Sequence, residues 1–218
     1  NLGETIDAVA YLIDHPEAEL DELMQFIKGP DFPTGGIIMG RAGIRQAYAT
    51  GHGRITLRGK ASIEEENGRF KIIITEIPYM VNKSRLVKSI AELVREKRID
   101  GIADIVEASD REGMRIIIDV KRDASPQVVL NQLYSYTQLQ ETVSVNMLVI
   151  ANGEPKVMTL KEILTHYIKF QEELIIRRTT YDLKKAEERV HILRGLIVAL
   201  DFIDEVINIL RSSKTVAE

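Results

Sequence analysis

Residues 54–77 read Arg54-Ile55-Thr56-Leu57-Arg58-Gly59-Lys60-Ala61-Ser62-Ile63-Glu64-Glu65-Glu66-Asn67-Gly68-Arg69-Phe70-Lys71-Ile72-Ile73-Ile74-Thr75-Glu76-Ile77. The first half alternates. Ile55, Leu57, Gly59, Ala61 and Ile63 fall on one side, and Thr56, Arg58, Lys60 and Ser62 on the other. Alternation of period two is the pattern of a half-buried strand, here over 54–65 with a basic outer face. Asn67-Gly68 supplies the left-handed turn of a tight hairpin. Phe70–Ile77 forms its second strand.

Working outward, Asn82 caps a helix that turns Leu86, Val87, Ile90, Ala91 and Val94 inward. Strands near Ala103–Glu107 and Met114–Val120 follow, joined by a turn at Ser109–Gly113. Pro126 suits the first turn of another helix, with Val129, Leu130 and Leu133 inward. Strand–strand–helix therefore occurs twice. The offset that matches Glu76 with Asp119 also matches Leu86 with Val129 and Ile90 with Leu133. A further strand is expected at Ser144–Ala151, closed by an Asn152-Gly153 turn.

Upstream, Asn1 and Glu4 have the spacing of a capping box, ahead of a helix with Ile6, Val9, Ala10 and Ile13 on one face. His15-Pro16 ends it, because proline disfavours helix in the preceding residue. A short helix is expected near Glu19–Ile27, a turn-rich connector at 29–36, and a turn or two of helix at Arg41–Ala49. From Thr159 there is no glycine before Gly195 and no proline to the end. Leu160, Ile163, Leu164, Tyr167, Ile168, Leu174, Leu183, Val190, Leu193 and Ile197 keep helical spacing. A continuous helix of ~40 residues would reach about 60 Å, which suggests an arm or coiled-coil stem, with a last helix near Phe202–Leu210. The expected fold class is α+β: a mixed, mainly antiparallel sheet with packed helices over 1–155, then a long α-helical coiled-coil arm over 156–218.

The net charge of −4 and pI near 5.7 conceal an uneven distribution. Residues 1–27 hold seven acids and no base; residues 41–60 hold five bases (Arg41, Arg45, Arg54, Arg58, Lys60) and no acid. Residues 83–98 hold six bases, Lys83 and Arg85 among them, against two acids. Such clustering points to a local electropositive surface of the kind that attracts phosphate.

Much chemistry is excluded. With no cysteine there is no disulfide, thiol nucleophile or cysteine zinc site. Gly36–Gly43 lacks the Gly-Lys-Ser/Thr of a P-loop, and there is no Gly-x-Ser-x-Gly elbow. The four histidines (His15, His52, His166, His191) form no ligand pair, so no metal site is expected. No apolar run approaches a membrane span. Asn1 opens no signal-peptide pattern, and 212–218 trail out of a helical pattern, so a piece of a longer protein is expected.

The string Gly29-Pro30-Asp31-Phe32-Pro33-Thr34 resembles a signature of the A subunits of bacterial DNA gyrase. So do Glu76-Ile77-Pro78-Tyr79-Met80-Val81-Asn82-Lys83, Ile90-Ala91-Glu92-Leu93-Val94, Gly113-Met114-Arg115-Ile116, Leu133-Tyr134 with Thr137-Gln138-Leu139-Gln140, and His191-Ile192-Leu193 before Gly195-Leu196. Their order and spacing agree along essentially the whole chain. The A subunit of topoisomerase IV is the close alternative; Gly29–Thr34 and Asn146-Met147 with Asn152-Gly153-Glu154-Pro155-Lys156 lean towards gyrase. The chain departs from the pattern at Met80 and His52, where family members often carry Gln and Arg. It departs again at Val106–Ser109 and Thr142–Ser144, where loop variation is expected.

The resemblance implies a type II topoisomerase that cuts both strands of one duplex, passes another through and reseals, with supercoiling as the outcome. Residues 1–155 would be the tower beside the DNA gate, and the helices beyond would begin the arm to the exit-gate dimer contact. The nucleophilic tyrosine lies upstream in the family, so no catalytic residue is expected here and the segment alone should be inactive. ATP and Mg2+ would enter through the gyrase B protein, and none would be bound by this segment. The implied partners are double-stranded DNA, the B subunits of gyrase, and a second copy of the A chain, with no membrane, in the cytoplasm at the nucleoid. Candidate phosphate contacts are Arg41, Arg45, Arg54, Arg58, Lys60, Lys83 and Arg85. The reading of a different class is a non-catalytic scaffold or oligomerisation module, with these charges merely solvated.

Overall fold

The computed structural model describes residues 1–111, 113–213 and 215. The chain divides into two compact units, residues 1–165 and 166–218. The first opens with helices α1 (Leu2–Asp14) and α2 (Leu20–Phe26). Strand β1 (Ile37–Ile38), helix α3 (Ala42–Thr50) and strands β2 (His52–Arg58), β3 (Lys60–Glu66) and β4 (Arg69–Glu76) follow. Next come α4 (Lys83–Arg95), β5 (Ile102–Glu107), β6 (Ile116–Val120), α5 (Pro126–Tyr136), β7 (Gln140–Asn146), β8 (Leu148–Ala151) and β9 (Glu154–Val157). Helix α6 (Leu160–Asp201) begins in the first unit and continues into the second, where α7 (Ile203–Ser212) follows it.

The twofold ββα expectation appears as one four-stranded sheet in the order β3-β4-β6-β5. Asn67 and Gly68 have φ of 53° and 71°, the backbone the hairpin needs, and Glu66 pairs with Arg69 across it. Helix α4 carries the chain from β4 to β5, and β6 inserts between these two strands by pairing antiparallel to both. The parallel strands are thus never neighbours. This corrects the expectation of a mixed sheet: all strand pairings among the described residues are antiparallel. Ile72, Ile74, Ile116 and Ile118 of this sheet are buried with Leu86, Ile90 and Leu93 of α4 and Val129, Leu130 and Leu133 of α5. Asn82 caps α4 by accepting the Arg85 amide at 3.0 Å, and Pro126 opens α5.

Three expectations change. The strand over 54–65 is two strands in two sheets. β2 lies between β1 and β7, and the chain breaks at Gly59 before entering the four-stranded sheet. Gly59 donates its amide to the Leu139 carbonyl at 2.7 Å, and a Cβ there would stand 2.6 Å from Leu139 Cδ1 and 2.7 Å from the Glu76 carbonyl. Only glycine passes so tight a junction. The strand over 144–151 likewise breaks at Met147, whose amide still bonds the Gly51 carbonyl at 2.8 Å while its carbonyl turns away to accept the Met158 amide at 3.2 Å. β8 pairs instead with β9 across the Asn152-Gly153 turn. Finally, α1 buries Ala8 and Leu12, while Ile6 and Ile13 are exposed, and Asn1 makes no side-chain cap bond.

Helix α6 runs 42 residues, about 63 Å at 1.5 Å per residue. Thr159 and Glu162 close a reciprocal cap at its start: the Thr159 amide donates to Glu162 Oε2 at 2.7 Å, and the Glu162 amide to Thr159 Oγ1 at 3.3 Å. Leu160 and Leu164 are buried in the first unit. In the second, Tyr167, Phe170, Leu183, Val190, Leu193 and Ile197 are all exposed, as are Leu210 and Ile209 of α7.

Candidate nucleic-acid interface

Strand β2 is antiparallel to β7 along its length, with Arg54 opposite Ser144, Thr56 opposite Thr142 and Arg58 opposite Gln140. Side chains directly opposite each other in a ladder share a face, and faces alternate along each strand. Ile55 and Leu57 are buried, so Arg54, Thr56, Arg58, Gln140, Thr142 and Ser144 stand together on the other face. His52 and Asn146 extend it. The face contains two arginines, hydroxyls and amides, and no carboxylate.

The seven candidate cations separate into three groups: unpaired, paired with an acid, and, for Arg58 alone, held by neutral contacts. Arg41, Arg54 and Arg85 make no ion pair and no side-chain hydrogen bond among the described residues. Arg54 sits on β2 where α3 packs against it. A Cβ on Gly43 would stand 2.0 Å from the Arg54 carbonyl, so glycine lets this helix lie directly on the strand. Arg41 stands at the start of α3 without a side-chain cap bond, and Arg45, one turn further, pairs with Asp21 of α2.

Arg58 is held without being neutralised. Its Nε donates to Gln140 Oε1 at 2.6 Å, and its guanidinium carbon lies 4.5 Å from the Tyr134 ring centre. The Tyr134 hydroxyl donates to the Gly59 carbonyl at 3.1 Å. Burial raises the pKa of that hydroxyl, against a smaller lowering by Arg58, so it stays a donor at neutral pH.

Lys60 and Lys83 belong with the four-stranded sheet, and both meet carboxylates. Lys60 Nζ is 3.5 Å from Glu76 Oε1, while Glu76 Oε2 accepts the Gly36 amide at 2.5 Å. Lys83 pairs with Glu107 and donates to Ser109 Oγ at 3.1 Å. The continuous basic strand face expected through Arg58 and Lys60 is therefore interrupted at Gly59, and the two residues stand in different sheets.

Sequence reasoning missed what holds these groups. Glu76, Tyr134 and Gln140 all lie in the conspicuous strings Glu76–Lys83 and Leu133–Gln140, but their partners are distant in the chain. Phe32 and Tyr79, from two further strings, also meet, with ring centres 5.8 Å apart. Among the described residues no group of three or more His, Asp or Glu could hold a metal ion, and no helix is long and apolar enough to cross a membrane.

The family of DNA gyrase and topoisomerase IV A subunits matches residues 1–218. The chain belongs to this family. It is 61% identical over 219 residues to the DNA gyrase A protein of Clostridium acetobutylicum, covering all of this chain and 26% of that protein. Against the DNA gyrase A protein of Dehalogenimonas lykanthroporepellens identity is 52%, covering 98% of this chain and 27% of the relative. Against that of Streptococcus pneumoniae it is 53%, covering all of this chain and again 27%. The chain thus spans about a quarter of the length of the curated gyrase A proteins it matches.

Proposed function

We propose that this segment grips a flank of the duplex to be cut by a type IIA topoisomerase of the gyrase kind, holding it bent during ATP-driven double-strand passage. The reading rests on the acid-free outer face of β2 and β7, on which Arg54 is unpaired and Arg58 keeps its charge uncompensated. Such a surface positions phosphates without reading bases. Bending a site of 20–30 bp costs on the order of 1–6 kcal/mol, which contacts along the flank must offset. The names of the relatives favour gyrase over topoisomerase IV.

In this reading residues 1–155 are the tower, and the nucleophile, ATP and Mg2+ belong elsewhere in an assembly of two gyrase A and two gyrase B chains. That assembly works on chromosomal DNA in the cytoplasm. No step of bond cleavage is assigned to a residue of this chain. The segment supplies fixed positive charge on a rigid sheet, so the duplex is held without reorganisation at the moment of cutting. Arg41, just before α3, and Arg85, at the start of α4, are further phosphate candidates, whereas Arg45 is paired with Asp21. The carboxylates beside Lys60 and Lys83 favour a structural role for those two lysines.

The test is the salt dependence of duplex binding by the full-length gyrase A protein reconstituted with gyrase B. Replacing both Arg54 and Arg58 by glutamine should reduce the slope of log K against log salt by about 0.9 per lost contact. Replacing Lys60 and Lys83 should change it less. An unchanged slope in the arginine pair would overturn the reading.

The arm is a second part of the proposal. The exposed apolar positions along α6 are those a coiled-coil partner would cover. Ala186→Pro, in the middle of that helix, should abolish strand passage and leave DNA cleavage largely intact. Passage at the wild-type rate would remove the rigid-arm idea.

A further inference from the structure

We infer that Tyr134 and Gln140 are positioning residues that present Arg58 to a DNA phosphate, and that the string Leu133-Tyr134 to Gln140 exists to build this holder. The inference rests on the phosphate-binding reading of the β2–β7 face.

The holder closes around Arg58-Gly59 from three directions. Gln140, directly opposite Arg58 in the ladder, accepts its Nε–H at 2.6 Å. Tyr134, on α5, lies under the guanidinium plane with a centroid distance of 4.5 Å. Its hydroxyl reaches past the arginine to the Gly59 carbonyl, and the Leu139 carbonyl takes the Gly59 amide at 2.7 Å. Thr137 fixes the return of the string: its hydroxyl donates to the Leu133 carbonyl at 2.6 Å and accepts the Leu139 amide at 3.1 Å. Tyr134, Thr137, Leu139 and Gln140 thus each hold either the arginine, the glycine beside it, or one another.

The chemistry of what is left over names the ligand. A guanidinium has five N–H donors in a planar fork. One is bound by Gln140, and the group lies over the ring of Tyr134, leaving the Nη groups with no partner and the charge with no carboxylate among the described residues. A structural arginine is usually paired with an acid; here every contact is neutral. Neutral contacts orient the fork and leave the full positive charge available. The terminal fork is matched to two oxygens of one phosphate group. Fixing the side chain beforehand removes the rotamer entropy that a free arginine loses on binding.

Duplex binding by the full-length gyrase A protein with gyrase B, measured in chelator so that no cleavage occurs, tests this against R58Q, Q140L, Y134L and Y134F. Thermal unfolding is followed in parallel. R58Q should lower the salt slope by about 0.9. Q140L and Y134L should each weaken binding by about three- to tenfold, the size of one net hydrogen bond. Y134F keeps the ring beneath the guanidinium and should bind within about twofold of wild type, since only the bond to Gly59 is lost. In the R58Q background the effects of Q140L and Y134L should vanish. A merely structural role for either residue would leave its effect intact there, tracking the loss in melting temperature, and would overturn the inference. If R58Q itself leaves affinity and slope unchanged, the phosphate reading fails at this arginine. If R58Q weakens binding while Q140L and Y134L do not, the reading stands and the holder falls.

Discussion

The two large sheets carry similar charged residues and use them in opposite ways. On β1-β2-β7 the outer face holds Arg54 and Arg58 among hydroxyls and amides, with nothing to neutralise them. On β3-β4-β6-β5 and its flanks four lysines each have an acid beside them: Lys60 with Glu76, Lys71 with Glu66, Lys83 with Glu107 and Lys121 with Asp100. Exposed pairs of this kind contribute only about 0–1 kcal/mol. The four-stranded sheet is therefore held by its isoleucines, and its pairs quiet the surface. The three-stranded sheet displays charge instead. The residue standing opposite a cation, not the count of cations along the chain, separates the two behaviours.

The sharpest break of this comparison is in the buried layer. Ile74→Ala should lower unfolding free energy by about 2–5 kcal/mol, whereas Thr56→Ala on the displayed face should stay within about 0.5 kcal/mol of wild type. Denaturant titration of both variants checks this, and equal losses would end the distinction. The junction between the sheets comes next. Gly59→Ala forces a methyl against Leu139 and the Glu76 carbonyl, with an expected cost of about 1–3 kcal/mol by overpacking. A variant as stable as wild type would mean that the two sheets are not locked together there. Helix caps offer a smaller contrast inside the stable module. Asn82→Ala should lose about 1 kcal/mol. Ser125→Ala should be nearly silent in the same melt, because Ser125 makes no side-chain cap bond.

Smallest are the surface pairs, best read by pH titration in NMR. The hydrogen bond from Lys71, then its charge, holds the Glu66 carboxyl below its usual range. A bond from Lys121, followed by the Gly101 amide, does the same for Asp100. A depressed carboxyl favours the folded state above its unfolded pKa, and that contribution disappears as pH falls through the folded value. The same contacts raise the pKa of Lys71 and Lys121. Their share is complete below the unfolded lysine pKa and lost as pH rises through the folded one. Lys71→Met should return the Glu66 midpoint towards the ordinary carboxylate range. No movement would mean that the pair does not form in solution.

Local chemistry carried much of the architecture. Asn67-Gly68 specifies its hairpin by backbone preference alone, Asn82 and Pro126 mark helix starts, and the long run without glycine or proline after Thr159 forecasts α6. The failures share one cause. Alternation runs unbroken through Gly59 and Met147, because the groups that divide those strands, Leu139, Glu76 and Met158, lie outside the strands themselves. The same holds for the interface. The clustering of Arg54 and Arg58 is visible from spacing, but the pairing of Lys60 with Glu76 and Lys83 with Glu107 depends on which strand ends come together. The exposed Ile6 and Ile13 overturn the expected face of α1, whose buried residues are instead Ala8 and Leu12.

The junction at Gly59 has one more consequence, for how this protein could be cut and rejoined. The chain leaves the three-stranded sheet at Gly59 and returns at Leu139, and these two residues are joined by a single backbone hydrogen bond. The whole ββαββα unit between them is an insertion whose entrance and exit coincide. β2 and β7 would be hairpin neighbours without it, so a short reverse turn could stand in for the excised unit. The fold order follows from the same point. Closing β2 on β7 across so long a loop is entropically costly while that loop is a coil, and far less so once it has collapsed into its own core. The inserted unit should therefore gain amide-exchange protection before the ladder that carries Arg54 and Arg58, and the charged face is assembled last.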